Sequence, residues 1–393
     1  KEKLWVSVYK DDTETYDIWL KEMVPADRII KLGDKSNFWP SNARLNGPNG
    51  PCGPCSEIFY DYGVNPSCSK GKDCGPDCSC GRFSEVWNLV FTQFNRREGG
   101  ILDPLPSKNI DTGMGLERLA AVVQGKKSNY ETDIFAPILK EIKAKVKGIS
   151  EQDARIIADH MRAVVFGISD GVVPSNEGRG YVIRKLIVDV TDLVIRAGVQ
   201  QPLIYTFADV VANLMSHPYP ELVAKVEDIK VTIKRIEEIF IKIRKERLPA
   251  LRSELRDWTN KASMKEQHIE ELGQIFFFYR DTHGLTLISI LSEAKNSEFE
   301  ISEEYLSAGI KVFEAKMEEQ KSRSRAGSKM TGDVFANAGL ELDVPKTEFL
   351  GYSVLESKAT VLKVLGEGGQ VKVMLDRTPF YAEAGGQVGD TGF

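Results

Sequence analysis

The chain has 393 residues, 42% of them hydrophobic and 28% charged, too long for one ordinary domain and ample for a sizeable core. No apolar run approaches the roughly 20 residues that span a bilayer, and no signal-like segment opens the sequence, so it reads as cytoplasmic. A formal charge of -5 excludes a broadly basic nucleic-acid surface and leaves RNA contact only a local, shape-based form.

Taken in order, Leu4 to Tyr9 alternates like a strand. Asp12 to Met23 has helical character behind an acidic start, and Arg28 to Leu32 reads as a second strand. Between Gly33 and Pro54 the density of Gly, Pro, Asn and Ser predicts a long structured loop, a feature that is usually functional. Glu57 to Tyr62 and Val86 to Phe94 read as strands, the second apolar on both faces and therefore central. On it, Asn88 shares a face with Val86 and Val90, and a polar residue there must find a partner if buried.

All six cysteines fall between Cys52 and Cys80. Cys68, Cys74, Cys78 and Cys80 are threaded with Gly and Pro, the way knuckle turns bring thiolates onto one structural Zn²⁺, although the spacing is not a paired CxxC pattern. Cys52 and Cys55 are alternative ligands. Disulfides are not expected in a cytosolic chain.

A short run ending at Asp111 then meets Gly113 and Gly115 and a helix whose Leu116, Leu119, Ala120 and Val123 fall at the spacing of a buried stripe, with Gly125 as its stop. Glycines there let backbone approach a flat or phosphorylated ligand. Arg118 opposes the helix dipole, so either an anion stands before it or it pairs with a surface carboxylate.

From about Gln152 to Ser328 the pattern is almost entirely helical. Leu222, Val226, Ile229, Ile233, Ile236, Phe240 and Ile243 keep a heptad spacing that ends before Pro249; a dimer coiled coil and a long packed helix are the two readings. The basic clusters Lys140 to Lys147, Lys234 to Arg247 and Lys316 to Lys329 read as solvated helix faces. Ala359 to Leu365 and Gln370 to Leu375 flank Gly366-Glu367-Gly368-Gly369, a hairpin signature opening a β region.

DTGMGLERLAAV (Asp111 to Val122) closely resembles the third signature motif of class II aminoacyl-tRNA synthetases in its alanyl-tRNA synthetase spelling. KEKLWVSVY, NFW (Asn37 to Trp39), GPCGPCSEIFYD (Gly50 to Asp61), EVWNLVFTQFNR (Glu85 to Arg96), DGVVPSNEGRGYV (Asp170 to Val182) and TPFYAEAGGQVGDTG (Thr378 to Gly392) resemble the same family, in its order. The resemblance implies an α+β chain: an antiparallel class II sheet with helices over 1–148, carrying a Cys-rich insertion at 64–82, an all-helical tRNA-recognition domain over 149–330, and the start of a β-barrel over 331–393. It implies an internal, bacterial-type piece of an alanine-tRNA ligase whose first two motifs precede Lys1, so that the segment alone would be inactive. Its substrates would be alanine, ATP with Mg²⁺, and the G·U-marked acceptor stem of tRNA(Ala).

The family's roles then fall on particular residues. Asp111 with Gly113 would hold the alanine ammonium, Trp39 and Val90 would wall its methyl, and Asn88 would lie near it; ordinary core is the alternative for Trp39 and Val90. Arg118 would meet the γ-phosphate beside Gly115, with Glu57 near ATP and its metal, or else a strand-edge carboxylate. Asn176 and Asp281 match the acceptors that read the guanine amine, the alternatives being a helix cap and a turn cap. Beyond Arg184 the family's arginine run is replaced by Leu186-Ile187-Val188-Asp189-Val190-Thr191-Asp192, which implies fewer phosphate contacts. A noncatalytic tRNA-binding relative and a zinc-centred structural module are the rival readings.

Overall fold

Alternation in Leu4–Tyr9 builds strand β1, after which Asp12 caps helix α1 (Thr13–Lys21) by accepting from the Thr15 amide. These features come from a computed structural model that describes residues 2–261, 266–295, 298–299, 301–327, 344–367, 370–382 and 389–392. Ile29–Leu32 forms β2, parallel to β1.

The stretch 33–54, expected to be a loop, is largely regular. It holds a helical turn α2 (Asp34–Asn37), a two-residue strand β3 (Phe38–Trp39), a second turn α3 (Ala43–Asn46) and the start of β4 (Gly50–Asp61). Gly and Pro conceal this strand because they weaken a ladder, yet they are tolerated where pairing is irregular. The register to the next strand breaks between Cys52 and Cys55, and there Phe38 and Trp39 pair with Pro54 and Gly53. Buried Arg96 fixes the α3 segment by donating to the Ala43 carbonyl and, at 2.7 Å, to Asn49 Oδ1.

Strands β5 (Phe83–Arg96) and β6 (Leu102–Met114) complete a sheet of order β2-β1-β4-β5-β6, with β3 attached to β4. Every pairing except β1 with β2 is antiparallel, and β5 is central as expected. The cysteine-rich excursion leaves from β4 and returns into β5. It is closed at its base by Arg82, whose Nε and Nη2 donate to the two Asp61 oxygens at 2.8 and 2.7 Å.

Helix α4 (Leu116–Val123) follows β6 with only Gly115 between them. Gly125, at φ +64°, ends it as expected, with Lys126 N–H donating to the Ala121 carbonyl at 2.8 Å. The buried stripe does not materialise: Leu116, Leu119 and Val123 are exposed, and Ala121 is the buried residue. Periodicity marks an apolar face but says nothing of what stands opposite it, and α4 packs against the 129–131 turn and β5 by another side.

Helices α5 (Ala136–Lys145), α6 (Glu151–Ser169), α7 (Gly178–Arg196), α8 (Phe207–Leu214), α9 (Glu221–Asn260), α10 (Glu266–Asp281), α11 (Leu287–Ala294) and α12 (Glu303–Gly327) follow. They close around two cores, one centred on Ile157, Met161, Ile187 and Phe207, the other on Leu251, Leu255, Phe276 and Ile290. Helix α9 threads both. Its Leu222, Ile229 and Ile233 are buried in the first core, which makes the heptad run a packed helix.

The heptad spacing ends before Pro249, but the helix does not. The helix continues to Asn260 because Leu251, Leu255 and Trp258 bury beyond it, and that packing outweighs the roughly 3 kcal/mol that an interior proline costs. No helix among the described residues is long and apolar enough to cross a membrane.

Residues 332–393 form a separate compact unit. In it β7 (Glu348–Phe349) pairs with the later β10 (Arg377–Thr378) in parallel, and β8 (Val361–Glu367) pairs with β9 (Gln370–Leu375) as the expected hairpin. No barrel is formed by the described strands. Gly368 and Gly369 of the turn, residues 383–388 of the glycine-rich motif, Lys329 of the last basic cluster, and 328–343 at the domain start lie outside the described residues.

Candidate active site and metal centre

Residues directly opposite each other across antiparallel strands share a face. The register therefore lines up Ser7, Glu57, Asn88 and Gly113 across β1, β4, β5 and β6, and beside them Cys55, Val90 and Asp111 on the same face. The first row is hydrogen-bonded. Asn37 Nδ2 donates to Ser7 Oγ at 2.8 Å, Ser7 Oγ donates to Glu57 Oε2 at 3.2 Å, and Asn88 Nδ2 donates to Glu57 Oε1 at 3.3 Å. Glu57 is 8% exposed, and both its oxygens are engaged within the sheet. Two acceptors in this cluster, Asn37 Oδ1 and Asn88 Oδ1, are buried without a partner among the described residues.

Burial, and then the nearby Glu85 carboxylate, push the Glu57 carboxyl up to about 7, against the opposing pull of Ser7 and Arg118. The same burial, with Glu57 adding to it, pushes the Cys55 thiol up to about 12. Cys52 and Cys55 are buried in the sheet, outside the cluster of four sulfurs described below.

Arg118 lies in the first turn of α4. Its Nη1 donates to the Glu85 carbonyl at 2.8 Å and stands 3.5 Å from Glu85 Oε2, so without a ligand it takes the surface-carboxylate pairing. A Cβ on Gly115 would come within 3.3 Å of the Arg118 side chain, so this glycine lets the guanidinium fold back along the helix start. Gly113 is extended, with nothing within 4 Å of where its Cβ would stand, so it leaves open space beside Asn88. Asp111 is exposed on the edge strand, and its side chain makes no hydrogen bond or ion pair among the described residues. No hydrogen bond or ion pair joins Asp111 and Arg118 among the described residues; Arg118 bears on the row through its charge, which lowers the Glu57 carboxyl. Val90 is 9% exposed, whereas Trp39 is 46% exposed on β3, which is not the behaviour of a core residue.

Sequence reasoning did not single out Ser7, Asn37 or Glu85. Ser7 had a signal, a lone polar residue between Val6 and Val8, and Asn37 sits in the NFW motif from which only Trp39 was taken.

Cys68, Cys74, Cys78 and Cys80 bring their sulfurs within 4.8 Å of one another. Cys68 and Cys78 lie 3.7 Å apart, and Cys74 and Cys80 3.4 Å apart; all four are free thiols. Zn–S bonds of about 2.3 Å in a tetrahedron put sulfurs roughly 3.8 Å apart, so this donor set fits one zinc ion.

Asn176 is exposed just before α7. The helix cap is Glu177, which makes no side-chain capping bond, so Asn176 does not serve as a cap. Asp281 ends α10 and accepts from Gln320 Nε2 of α12. Arg184 is half-buried on α7 and makes no ion pair among the described residues. The structure brings these three into no mutual contact among those residues. In the replaced arginine run, Ile187, Val188, Val190, Thr191 and Asp192 face inward. Arg280 donates weakly, at 3.5 Å, to the Leu285 carbonyl.

A family model described as tRNA synthetases class II (A) matches residues 1–393. Among curated relatives, the chain is similar to proteins named alanine–tRNA ligase from Thermotoga maritima (41% identical over 419 residues), Thermus thermophilus (40% over 417) and Dehalococcoides mccartyi (39% over 409). These alignments cover 99–100% of this chain but 45% of each relative, so the chain spans about half their length. Because the family match covers all 393 residues, it lends no support to the expectation that this segment is inactive.

Proposed function

The chain belongs to the class II (A) tRNA synthetases, and from that premise we propose that its full-length protein is an alanine–tRNA ligase. In this reading the alanine carboxylate attacks the α-phosphorus of ATP, pyrophosphate departs, and the alanyl group passes to tRNA(Ala). No enzymatic nucleophile is required; the protein supplies alignment and charge.

The observation that carries the reading is the shared sheet face. Asp111 is a carboxylate free to receive the ammonium, Val90 beside it and Trp39 on β3 are apolar walls, and Gly113 leaves room between them. Arg118 and Gly115, at the start of α4, are assigned to the nucleotide, with Mg²⁺ on its phosphates; an incoming γ-phosphate replaces Glu85 as the partner of Arg118. Asn176 and Asp281 are assigned to the G·U amine and Arg184 to a neighbouring phosphate, since Asn176 and Arg184 are uncommitted among the described residues. Zinc on the four cysteines would stiffen the excursion between β4 and β5, whose ends both enter the site strands.

The proposed domains are 1–148 for activation, 149–330 for tRNA recognition and 331–393 as the first strands of a barrel, acting in the cytoplasm. Alanine-dependent ATP–pyrophosphate exchange on the full-length protein is the test. Asp111→Ala removes a charge-assisted partner of the ammonium, so the alanine KM should rise roughly tenfold to a hundredfold. An unchanged alanine KM removes Asp111 from the pocket, and absence of exchange in the wild type removes the function.

A further inference from the structure

We infer that Glu57 is a positioning residue for Asn88: its carboxylate holds the NH₂ end of the Asn88 amide toward β4 and thereby turns the amide oxygen toward the ammonium of the bound amino acid. The inference rests on the proposed alanine site and adds to it a residue that acts through another.

Burial holds the Glu57 carboxyl at about 7, so above neutral pH it is ionised, and an ionised carboxylate accepts hydrogen bonds and donates none. Glu57 Oε1 lies 3.3 Å from the Asn88 amide, so the nitrogen must face it, whatever orientation the amide would take alone. The other carboxylate oxygen is fixed from the far side. Ser7 Oγ accepts from Asn37 Nδ2 at 2.8 Å, so its own proton is left for Glu57 Oε2 at 3.2 Å. Asn37 is in turn held with its NH₂ end toward Ser7 and the Cys55 sulfur, while the Cys55 thiol points at the Ser36 carbonyl. The row thus donates into Glu57 from both ends, Asn37 to Ser7 to Glu57 on one side and Asn88 on the other.

What remains is the Asn88 oxygen. It is buried and unpartnered, and a polar atom shut away from water without a donor is costly to a fold unless something else supplies the donor. With its nitrogen committed to Glu57, this oxygen is left for a donor from elsewhere, and its ladder partner Gly113 has no side chain to supply one. Asp111 stands two residues along the same strand and face. In the proposed site an ammonium seated over Gly113 would take the Asp111 carboxylate and draw this oxygen into a hydrogen bond, and the oxygen is available for that only while Glu57 dictates the amide's orientation.

The test is alanine-dependent ATP–pyrophosphate exchange with the full-length protein, reading KM for alanine, KM for ATP and kcat separately. Glu57→Gln can donate as well as accept, so Asn88 is free to turn its NH₂ toward the ammonium. The alanine KM should rise about tenfold with the ATP KM unmoved. Adding Asn88→Asp should restore much of that loss, because Asp presents acceptors whichever way it turns, whereas Asn88→Asp alone sets two carboxylates side by side and should be worse than either partner change. Packing damage at Glu57 would not be repaired in this way. A rise in ATP KM with alanine KM unchanged, or a double variant no better than Glu57→Gln, overturns the inference while leaving the alanine reading intact. Absence of alanine-dependent exchange in the wild type brings down both.

Discussion

Replacing Asp192 by Ala should cut the stability of the helical region by about 3–5 kcal/mol. This residue of α7 is 1% exposed and is the acceptor that joins three helices. Thr286 Oγ1, the cap of α11, donates to Oδ2 at 2.6 Å, Ser289 Oγ donates to Oδ1, and Arg244 Nε of α9 lies 3.4 Å from Oδ1. Arg196, 3.8 Å away and partly exposed, adds little. Alanine strands two buried hydroxyls, at about 1–2 kcal/mol each, and leaves the mostly buried Arg244 without its carboxylate, at a similar cost. Asn keeps one acceptor oxygen and should lose roughly half as much. The measurement is urea unfolding followed by circular dichroism at 222 nm, with the slope checked so that a change in midpoint reports stability. Because Arg244 and Ser289 tie the second helical core to α7 of the first, hydrogen exchange in α10 and α11 should accelerate more than in α6. A loss below about 1 kcal/mol, with exchange unchanged in α11, would refute the view that this knot holds the two cores together.

Protein prepared without chelator should carry about one zinc per chain by elemental analysis. Cys78→Ser should lose it and lower the melting temperature, whereas Cys52→Ala in β4 should keep it; zinc indifferent to Cys78 would dismiss the site. The carboxyl of Glu57 is raised from 4.5 to about 7 by burial and by Glu85, so the folded state binds this proton more tightly than the unfolded one. Stability from that proton is fully present below about 4.5 and is lost as pH rises through about 7, amounting to roughly 2 kcal/mol after solvent screening. Glu57→Gln should therefore gain on the wild type in denaturant titrations between pH 5 and pH 8, and a constant difference across that window would show the carboxyl to be ordinary.

Legibility in the sequence followed the strength of local signals. β1, α1, β2 and the stop at Gly125 were readable because alternation, a capping Asp and a C-terminal Gly act within a few residues. The start of β4 was not, since Pro51, Gly53 and Pro54 all argue against a strand and only the partner strands make it one. The passage of α9 through Pro249 was lost for the same reason, its support coming from Leu251 and Trp258 in a core built by distant helices. In the candidate site, Asp111, Asn88, Glu57 and Arg118 were visible as motif residues, but their order was not. That Ser7 and Asn37 stand behind Glu57, and that Asp192 faces a core rather than a phosphate, depends on which strands and helices become neighbours.

Glu85 shows how far that dependence reaches. Counting alternately back from Val90 and Asn88 puts Val86 on the site face and Glu85 on the opposite one. Yet Glu85 raises the Glu57 carboxyl and pairs with Arg118, which a residue on the far face would not do. The register resolves the conflict. Ile58 pairs with Trp87 and Phe59 with Glu85, so Val86 is an extra residue on β5, a bulge that inverts the alternation for everything before it. Glu85 then shares a face with Glu57, and the Val86 carbonyl is released to accept from the Gly115 amide at 3.1 Å, where β6 turns into α4. One inserted residue thus supplies the resting partner of Arg118 and anchors the helix that carries it, while Asn88 and Val90, on the other side of the bulge, keep the alternation that sets them beside Asp111 and Gly113. Were Val86 paired with Phe59 in an unbroken ladder, Glu85 would fall on the far face, so the charge arrangement of the site is a property of strand register before it is a property of any motif.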